Sequence, residues 1–278
     1  MPDKTDIAYF GPAGTFTHQA ALYYNGNANM KPYHTIDDLL EAVNLGHASL
    51  GVVPLENSTE GVINATLDNL IFETDLFIKA ELSLKISQNL FVRDENSKKE
   101  IKKILSHPQG LAQCRKFLRQ YYPNAEYVPA ASTSEAVKTA AESAEAVAAI
   151  GNTLAGLIYN LRPVKENIQD FAENTTTFVV VTKENTAPPK AGFKTSIALS
   201  LKDKPGELHK MLDIFAVWDI NMTKILSRPA RGKPGEYVFF IDFGGFEDAL
   251  YVNDALKMIR RKAGFLKELG SYPVIVAK

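Results

Sequence analysis

Three short segments of the chain combine a residue that turns the backbone with side-chain hydroxyls or amides. They read GPAGTFT from Gly11 to Thr17, PLENSTEG from Pro54 to Gly61 and SHPQGLAQ from Ser106 to Gln113. Each follows an apolar, strand-like run and leads into a helix-like one. Ligands bind at the carboxyl ends of strands in open α/β sheets, and helix N-termini attract anions. We therefore expect a cleft of hydrogen-bond donors suited to a small carboxylate-bearing molecule.

A fourth segment, Glu173 to Phe178 (ENTTTF), adds hydroxyl donors beside a β-branched run. Each segment also has a simpler structural interpretation. Asn57 and Ser58 suit helix N-caps, and threonines favour strands regardless of function. Cys114 has no motif that pairs it with a base, so we interpret it as a core residue rather than a nucleophile. Taken one at a time, these residues do not define a function.

Composition and charge exclude several classes of protein. The chain has 278 residues, and 31 Lys and Arg against 32 Asp and Glu give a net charge of −1. That balance argues against a nucleic-acid-binding surface or a polybasic membrane anchor. No apolar run reaches the ~20 residues of a membrane span, and the polar N-terminus lacks the layout of a signal peptide. One cysteine, and five histidines without an i, i+4 pair, predict neither a disulfide nor a metal centre. We expect a cytoplasmic protein.

The elements that must position these segments alternate between strand and helix over the first 183 residues. Patterning predicts strands over 7–10, 50–54, 101–105, 146–150 and 177–182. It predicts helices over 15–24, 60–72, 108–121 and 132–143. This alternation is typical of a mostly parallel sheet with helices on both faces. An extended stretch near 78–93 interrupts the rhythm and is a predicted crossover from one lobe to a second.

A linker and a second pattern follow. Residues 184–192 contain Pro188 and Pro189 and little apolar content, which predicts a linker. Beyond it, strands are predicted over 195–201, 221–227, 236–243 and 272–276, and helices over 205–218 and 248–262. This is a βαββαβ order in about 80 residues, which is typical of a ferredoxin-like domain. The predicted boundaries are therefore 1–183, 184–192 and 193–278.

The motifs together resemble those of one enzyme family. GPxGTF, PxENSxEG, SHPQxxxQC and NxTxF occur in this order in prephenate dehydratases, and the C-terminal part, with Lys204-Pro205-Gly206 and Ser227-Arg228-Pro229, is similar to their regulatory ACT domain. The resemblance implies a two-lobed, periplasmic-binding-protein-like catalytic domain with a return crossover near 160–172, followed by a βαββαβ ACT domain. It implies conversion of prephenate to phenylpyruvate with loss of water and carbon dioxide. Aromatisation drives that reaction, so we expect no cofactor and no metal.

The resemblance also implies roles for individual residues. The implied catalytic residues are Thr176, Asn57, Ser106 and Gln113, with Thr176 as the donor to the departing hydroxyl. The implied substrate-binding residues are Gly14, Thr15, Glu56, Ser58, Thr177 and Phe178. We expect Glu56 to hold its loop through backbone N–H groups, because a free carboxylate would repel a dianion. The implied effector-binding residues are Gly206, Leu208, Asn221, Ser227 and Arg228, with L-phenylalanine as the effector of a homodimer or homotetramer that covers the ACT sheet edges.

The chain departs from the family motif at one position in the site. The family usually has Thr-Arg-Phe where this chain has Thr176-Thr177-Phe178, so the four matched segments contain no Lys or Arg. A charge-assisted hydrogen bond contributes about 1.5–3 kcal/mol, so its loss predicts substrate binding weaker by roughly tenfold to somewhat over a hundredfold unless another cation substitutes. Arg115 and Lys116 are nearby candidates. We expect Thr177→Arg to lower KM or to raise kcat/KM for prephenate.

The regulatory motifs differ as well, at Glu207, His209 and Leu226. These differences and Thr177 leave a second hypothesis open, a catalytically weakened relative that binds an aromatic amino acid as a regulatory module. A third, a periplasmic solute-binding protein, is disfavoured by the lack of a signal peptide. A rate of phenylpyruvate formation above that of spontaneous decay distinguishes the enzyme from the binding module.

Overall fold

Two β-sheets organise the chain in the computed structural model, which describes residues 6–93, 101–185, 193–232, 235–245 and 249–277. The first lobe begins with five strands: β1 (Asp6–Phe10), β2 (Asn29–Tyr33), β3 (Leu50–Asn57), β4 (Gly61–Val62) and β5 (Phe77–Lys85). Between them lie α1 (Phe16–Tyr24), α2 (Ile36–Asn44), α3 (Asn64–Asp68) and a π-helical turn, Asn69–Glu73. Thr15 and Thr35 cap α1 and α2 through their side-chain oxygens, which fixes where these helices begin.

The second lobe is built on a separate sheet. Its strands are β6 (Asn89–Val92), β7 (Lys103–Ser106), β8 (Glu126–Pro129), β9 (Val147–Gly151) and β10 (Pro163–Lys165), in the order β10-β6-β9-β7-β8. Its helices are α4 (Pro108–Gln113), α5 (Arg115–Tyr121), α6 (Thr133–Glu142) and α7 (Thr153–Ile158). The chain then returns to the first lobe as β11 (Thr175–Thr182), which lies antiparallel between β3 and β5. Two chain segments therefore connect the lobes.

The remaining described residues form a unit with the order βαββαβ. Its elements are β12 (Phe193–Leu201), α8 (Glu207–Val217), β13 (Met222–Pro229), β14 (Tyr237–Gly244), α9 (Leu250–Lys262) and β15 (Phe265–Val276). Its sheet has the antiparallel order β13-β14-β12-β15, the ferredoxin-like arrangement, with α8 and α9 packed on one face. The other face shares a core with the first lobe, in which Phe240 and Tyr272 join Leu39 and Leu70. β15 also pairs in parallel with β5, so one sheet runs through both parts.

The α/β fold class is confirmed, but several elements differ from the sequence prediction. The first-lobe sheet is mixed rather than mostly parallel, because the returning strand β11 runs antiparallel to both of its neighbours. The helix predicted over 60–72 begins only at Asn64, since Gly61–Val62 pairs with β3. The helix predicted over 108–121 is interrupted at Cys114. The predicted linker falls mostly on residues 186–192, which lie outside the described residues.

The described helices are short. α9, with 13 residues, is the longest of them. Across the described ranges, no helix has both the length and the apolar character that crossing a bilayer requires.

Candidate active site

A cleft of about 920 Å³ lies between the two lobes. Its walls carry residues from all four segments singled out in the sequence, the fourth of which contributes through β11. Five of the sequence-predicted site residues line it: Thr15, Asn57, Gln113, Thr176 and Phe178. These residues come from separate elements and loops of both lobes, so the fold converges them on one cavity.

Asn57 and Thr176 form the most constrained pair in the cleft. They lie opposite each other at the ends of β3 and β11, and they are 6% and 8% exposed. The amide nitrogen of Asn57 donates to Thr176 Oγ1 at 2.9 Å, to Asn174 Oδ1 at 3.0 Å and to the Thr175 carbonyl at 3.3 Å. Because the Thr176 oxygen accepts this bond, its own hydrogen is directed elsewhere. No protein acceptor for that hydrogen is found among the described residues, so the hydroxyl is free to donate into the cleft.

The other end of the Asn57 side chain fixes the loop after β3. Its Oδ1 accepts from the Thr59 N–H at 3.0 Å, from the Thr59 hydroxyl at 2.6 Å and from the Glu60 N–H at 3.2 Å. Both the donor and the acceptor of one buried amide are therefore used, which determines its orientation. Ser58, which the sequence predicts to bind substrate, bonds instead to Asn174 Oδ1 at 3.2 Å and to the Thr175 N–H at 3.0 Å. It ties β3 to β11 outside the cleft lining.

The first loop touches the second lobe at Gly14. This residue has φ +85°, and a Cβ atom there would lie 2.6 Å from Ser134 Oγ and 3.1 Å from Ala155 Cα. The hydroxyl of Ser134 in turn donates to the carbonyl of Ala13. Only glycine permits the close approach of the lobes here. Gly14, which is predicted to bind substrate, is not among the residues that line the cleft, whereas Gly11 and Pro12 are.

His18 fixes the conformation of the loop that contains Gly14. Its Nδ1 accepts from the Gly14 N–H at 3.0 Å, and its ring stacks on Tyr9 with centroids 4.4 Å apart. Burial lowers the pKa of His18 below the ordinary 6.5, which favours the neutral ring that this hydrogen bond requires. The Thr15 hydroxyl accepts from the His18 N–H at 3.2 Å and donates to the Phe10 carbonyl at 3.1 Å. Thr15 thus lines the cleft while its side chain caps α1.

Ser106 does not reach the cleft, contrary to the prediction. It is fully buried, its hydroxyl donates to the Ile150 carbonyl at 3.0 Å, and Gly110 packs directly on it. Its neighbour His107 lines the cleft and caps α4, where Nδ1 accepts from the Gln109 N–H at 3.3 Å. Ser106 therefore joins β7 to β9 beneath the N-terminus of α4. The residues that line the cleft follow it in the chain, beginning with His107 and Gln109.

Sequence reasoning missed Gln88, which lies at the crossover between β5 and β6 and lines the cleft. Its Nε2 donates to Gln113 Oε1 at 3.3 Å, which leaves the Gln113 amide nitrogen available to a ligand. The Gln88 side chain is 2% exposed, and its Oε1 has no hydrogen-bond partner among the described residues. Buried polar atoms are usually paired, so an unpaired one in a residue that lines the cleft makes that residue a candidate ligand contact. Its position in a predicted crossover was the only available signal.

The cleft contains little positive side-chain charge. Of the Lys and Arg residues in the described part of the chain, Lys138 on α6 is the one that lines it, beside Glu135 and Glu142. Arg115 and Lys116, the candidates from the sequence, do not line it, and the Lys116 ammonium lies 5.8 Å from the centre of the Phe171 ring. No group of three or more His, Cys, Asp or Glu side chains in the described ranges is arranged to hold a metal ion.

Helix N-termini supply the remaining positive potential. The caps of α1, α4 and α6, which are Thr15, His107 and Ser132, all line the cleft. Backbone N–H groups and helix dipoles at such positions favour anions. The arrangement can therefore hold a carboxylate without a buried guanidinium or ammonium group.

Glu56 and Thr177 face away from the cleft. They lie opposite each other in the β3 and β11 ladder, so their side chains share one face, and Asn57 and Thr176 occupy the other. The Glu56 carboxylate forms an ion pair with Lys224 of β13 rather than bonds to loop N–H groups. The expectation that an arginine at position 177 would contact substrate is thus corrected, because it would lie beside Glu56.

The predicted effector residues lie at two ends of the C-terminal sheet. Gly206 (φ +80°) precedes α8. Gly206 and Leu208 lie at the end of the sheet that contains Tyr237, where β14 has β12 on one side and β13 on the other. Ser227 is near the same end, whereas the Asn221 carbonyl accepts from Gly244 at the opposite end. The Arg228 guanidinium forms two hydrogen bonds, of 2.8 and 2.9 Å, with Asp68 in α3. One chain therefore does not bring all five together.

Two α/β lobes around a donor-lined cleft, joined to a ferredoxin-like unit, define a two-lobed α/β protein whose cleft is suited to a small anion. The model of the prephenate dehydratase family matches residues 7–186. A bifunctional chorismate mutase/prephenate dehydratase of Aquifex aeolicus is 41% identical over 274 residues, which are 98% of this chain and 75% of that protein. A prephenate dehydratase of Methanocaldococcus jannaschii is 39% identical over 276 residues, 96% of this chain and 98% of that one.

A solved structure gives the same result. The crystal structure of prephenate dehydratase in complex with L-Phe from Arthrobacter aurescens has a TM-score of 0.89 and 34% sequence identity, covering 97% of this chain and 90% of that one. The chain belongs to the prephenate dehydratase family.

Proposed function

We propose that the interlobe cleft catalyses the decarboxylating dehydration of prephenate to phenylpyruvate. The bond between the ring and its carboxylate breaks, and its electron pair enters the ring. The C4–O bond breaks at the same time, and the departing hydroxide takes up a proton and leaves as water. Carbon dioxide is the second product, and the aromatic ring supplies the driving force. The protein must therefore hold a dianion, orient the ring carboxylate and donate a hydrogen bond to the leaving oxygen.

The observation that carries this proposal is the Asn57–Thr176 hydrogen bond in the cleft. Because the Asn57 N–H occupies one lone pair of the Thr176 hydroxyl, the hydroxyl hydrogen points away from Asn57 and is available to donate. A donor that is already oriented stabilises the charge that develops on the departing oxygen without reorganisation. We assign Thr176 as this donor and Asn57 as the residue that orients it.

The remaining walls suit the rest of the substrate. Gln113 offers its amide nitrogen, and Gln88 offers an unpaired amide oxygen that can accept from the substrate hydroxyl. Phe10 and Phe178 give the cleft an apolar surface for the ring. The α1, α4 and α6 N-termini and Lys138 favour the carboxylates.

We also propose that the C-terminal unit is an ACT domain that binds L-phenylalanine in a homodimer or homotetramer. Its strand order supports this, and the Arthrobacter relative is described in complex with L-Phe. β13 is the edge strand of its sheet and exposes Ile225, so pairing with a second copy would cover it. A cytoplasmic location fits the single cysteine, Cys114, which is buried and unpaired.

Incubation of the purified protein with prephenate tests the catalytic proposal. Phenylpyruvate is followed by its absorbance in alkali, against a protein-free sample that measures spontaneous decay. We expect a rate well above that decay, and we expect Thr176→Ala to reduce it to near the background. A wild-type rate equal to the background would refute the proposal and favour a binding module, which calorimetry with L-phenylalanine would then detect.

A further inference from the structure

Five charged side chains meet where the first lobe contacts the C-terminal unit. Two are carboxylates of the first lobe, and three belong to the C-terminal sheet: Glu56 of β3, Glu81 of β5, Lys194 of β12, Lys224 of β13 and Asp242 of β14. The Lys194 ammonium lies 2.7 Å from Glu81 Oε2 and 3.5 Å from Asp242 Oδ2. Lys194 therefore forms ion pairs with Glu81 and Asp242, and Lys224 forms an ion pair with Glu56.

Lys224 is directed at the first lobe by the register of its strand. From Lys224 to the end of β13, the half-buried residues are Lys224, Leu226 and Arg228, and they alternate with exposed ones. Leu226 packs on the first-lobe core, and Arg228 binds Asp68 in α3. The same face of β13 therefore carries the Lys224 ammonium to Glu56, with only 18% of the lysine side chain exposed.

Glu56 lies at an irregular point of the catalytic strand. Thr177 pairs with Glu56, but the next residue, Phe178, pairs with Pro54, so β3 contains a bulge at Leu55. Bulges bend a strand and interrupt its ladder, often beside active sites. The last two residues of β3, Glu56 and Asn57, pair with β11 on one side and with β4 on the other, and two side-chain contacts add to these ladders. Glu56 provides one through Lys224, and Asn57 provides the other through Thr176.

We propose that Lys224 is a positioning residue of the active site, which acts through Glu56 to hold Asn57 against Thr176. This inference rests on the proposed dehydratase function. The C-terminal unit then contributes directly to the geometry of the cleft, although none of its described residues lines that cleft. Without the ammonium group, the Glu56 carboxylate, 32% exposed, turns toward water and displaces the strand end. The Asn57 amide, one residue away, moves with it.

The geometry also offers a substitution that restores the contact. Thr177 lies opposite Glu56 on the same face, so an arginine there brings a guanidinium to the Glu56 carboxylate from within the first lobe. In Lys224→Met, that arginine should replace the missing cation. A purely structural role of Lys224 in docking the C-terminal unit predicts no such rescue, because Thr177 belongs to the first lobe.

The test compares wild type, Lys224→Met and Lys224→Met/Thr177→Arg in steady-state kinetics with prephenate. We expect Lys224→Met to lower kcat roughly tenfold, because a small displacement of a catalytic group has a large effect on rate. KM should change by less than about twofold, since the lost interaction is made in the transition state. The double variant should recover most of kcat, and Lys224→Arg should retain it.

Lys257→Met is the matched control, because Lys257 pairs with Asp254 on the exposed face of α9. It should leave both constants unchanged, and circular dichroism checks that every variant is folded. If Lys224→Met folds and keeps the wild-type kcat, or if Thr177→Arg gives no recovery, the inference is wrong while the dehydratase function stands. If the wild type itself is inactive, the proposed function fails, and this inference fails with it.

Discussion

Replacing Asn57 by aspartate tests whether the direction of one hydrogen bond determines catalysis. The side chains have the same shape, and the oxygen that accepts from Thr59 and Glu60 is kept. The nitrogen that donates to Thr176 becomes an oxygen that can only accept. In the Asn57→Asp variant the Thr176 hydroxyl must then turn to donate to the new carboxylate, and its hydrogen is no longer available to the substrate.

The size of the effect follows from what is lost. Removing one preorganised donor to a developing oxyanion costs about 2.7–4 kcal/mol, so kcat should fall roughly 10²–10³-fold. KM should change little, because the bond matters most in the transition state. The new oxygen also faces Asn174 Oδ1 and the Thr175 carbonyl. Such mismatched buried groups cost about 1–3 kcal/mol, which predicts a Tm lower by roughly 2–12 °C.

Asn89→Asp separates the catalytic effect from the loss of stability. Asn89 is 2% exposed, its Nδ2 donates to Thr153 Oγ1 at 3.0 Å, and its Oδ1 accepts from the Asn167 N–H at 3.0 Å. The same change is therefore made at a buried amide–threonine pair outside the cleft lining. We expect a similar fall in Tm with kcat retained, measured by thermal unfolding and by the phenylpyruvate assay. A kcat of Asn57→Asp within about tenfold of wild type would refute the assigned role of the Thr176 hydroxyl.

Three further predictions concern single residues of the site. Thr176→Ala should abolish most turnover with the fold intact, whereas Thr176→Ser, which keeps the hydroxyl, should retain at least part of it; equal rates for the two variants in the phenylpyruvate assay would contradict the assignment. Lys138→Gln should raise KM by about two- to fivefold, because the side chain is exposed and its charge is screened; an effect above a hundredfold would make Lys138 the main anchor of the substrate. Because burial lowers the pKa of His18, the unfolded chain binds its proton more readily than the folded one, so stability should fall as pH drops below the ordinary 6.5. Unfolding curves of His18→Gln should lack this component, and a wild-type dependence on pH identical to that of the variant would contradict it.

Much of the fold is readable from local patterns. Buried apolar runs such as Val179–Val181 and Ala148–Ile150 predict strands whatever lies around them. β2 escapes prediction because its residues are mostly exposed and include Pro32, which is unfavourable in a strand. The bulge at Leu55 and the mixed direction of the first sheet depend on β11, which is more than a hundred residues away along the chain. Local patterning cannot contain that information.

The site illustrates the same limit at the level of side chains. Motif residues divide into those that face the cleft, such as Asn57 and Thr176, and those that hold the loops, such as Gly14 and Ser106. A motif does not distinguish the two groups, because both are needed for the same geometry. The Glu56–Lys224 pair joins residues 168 positions apart, and only the folded chain reveals it.

The distribution of charge in the cleft suits the chemistry we propose. Prephenate carries two carboxylates, but one of them loses its charge as it becomes carbon dioxide. A buried cation on that carboxylate would stabilise the substrate more than the transition state, and it would slow the chemical step. Neutral donors that point at the leaving oxygen, such as Thr176, stabilise the transition state more than the substrate, and they therefore speed the chemical step. The second carboxylate keeps its charge throughout, so a cation such as Lys138 that binds it lowers KM without raising kcat. Because an arginine at position 177 would face Glu56 rather than the cleft, we expect its absence to leave the chemical step intact.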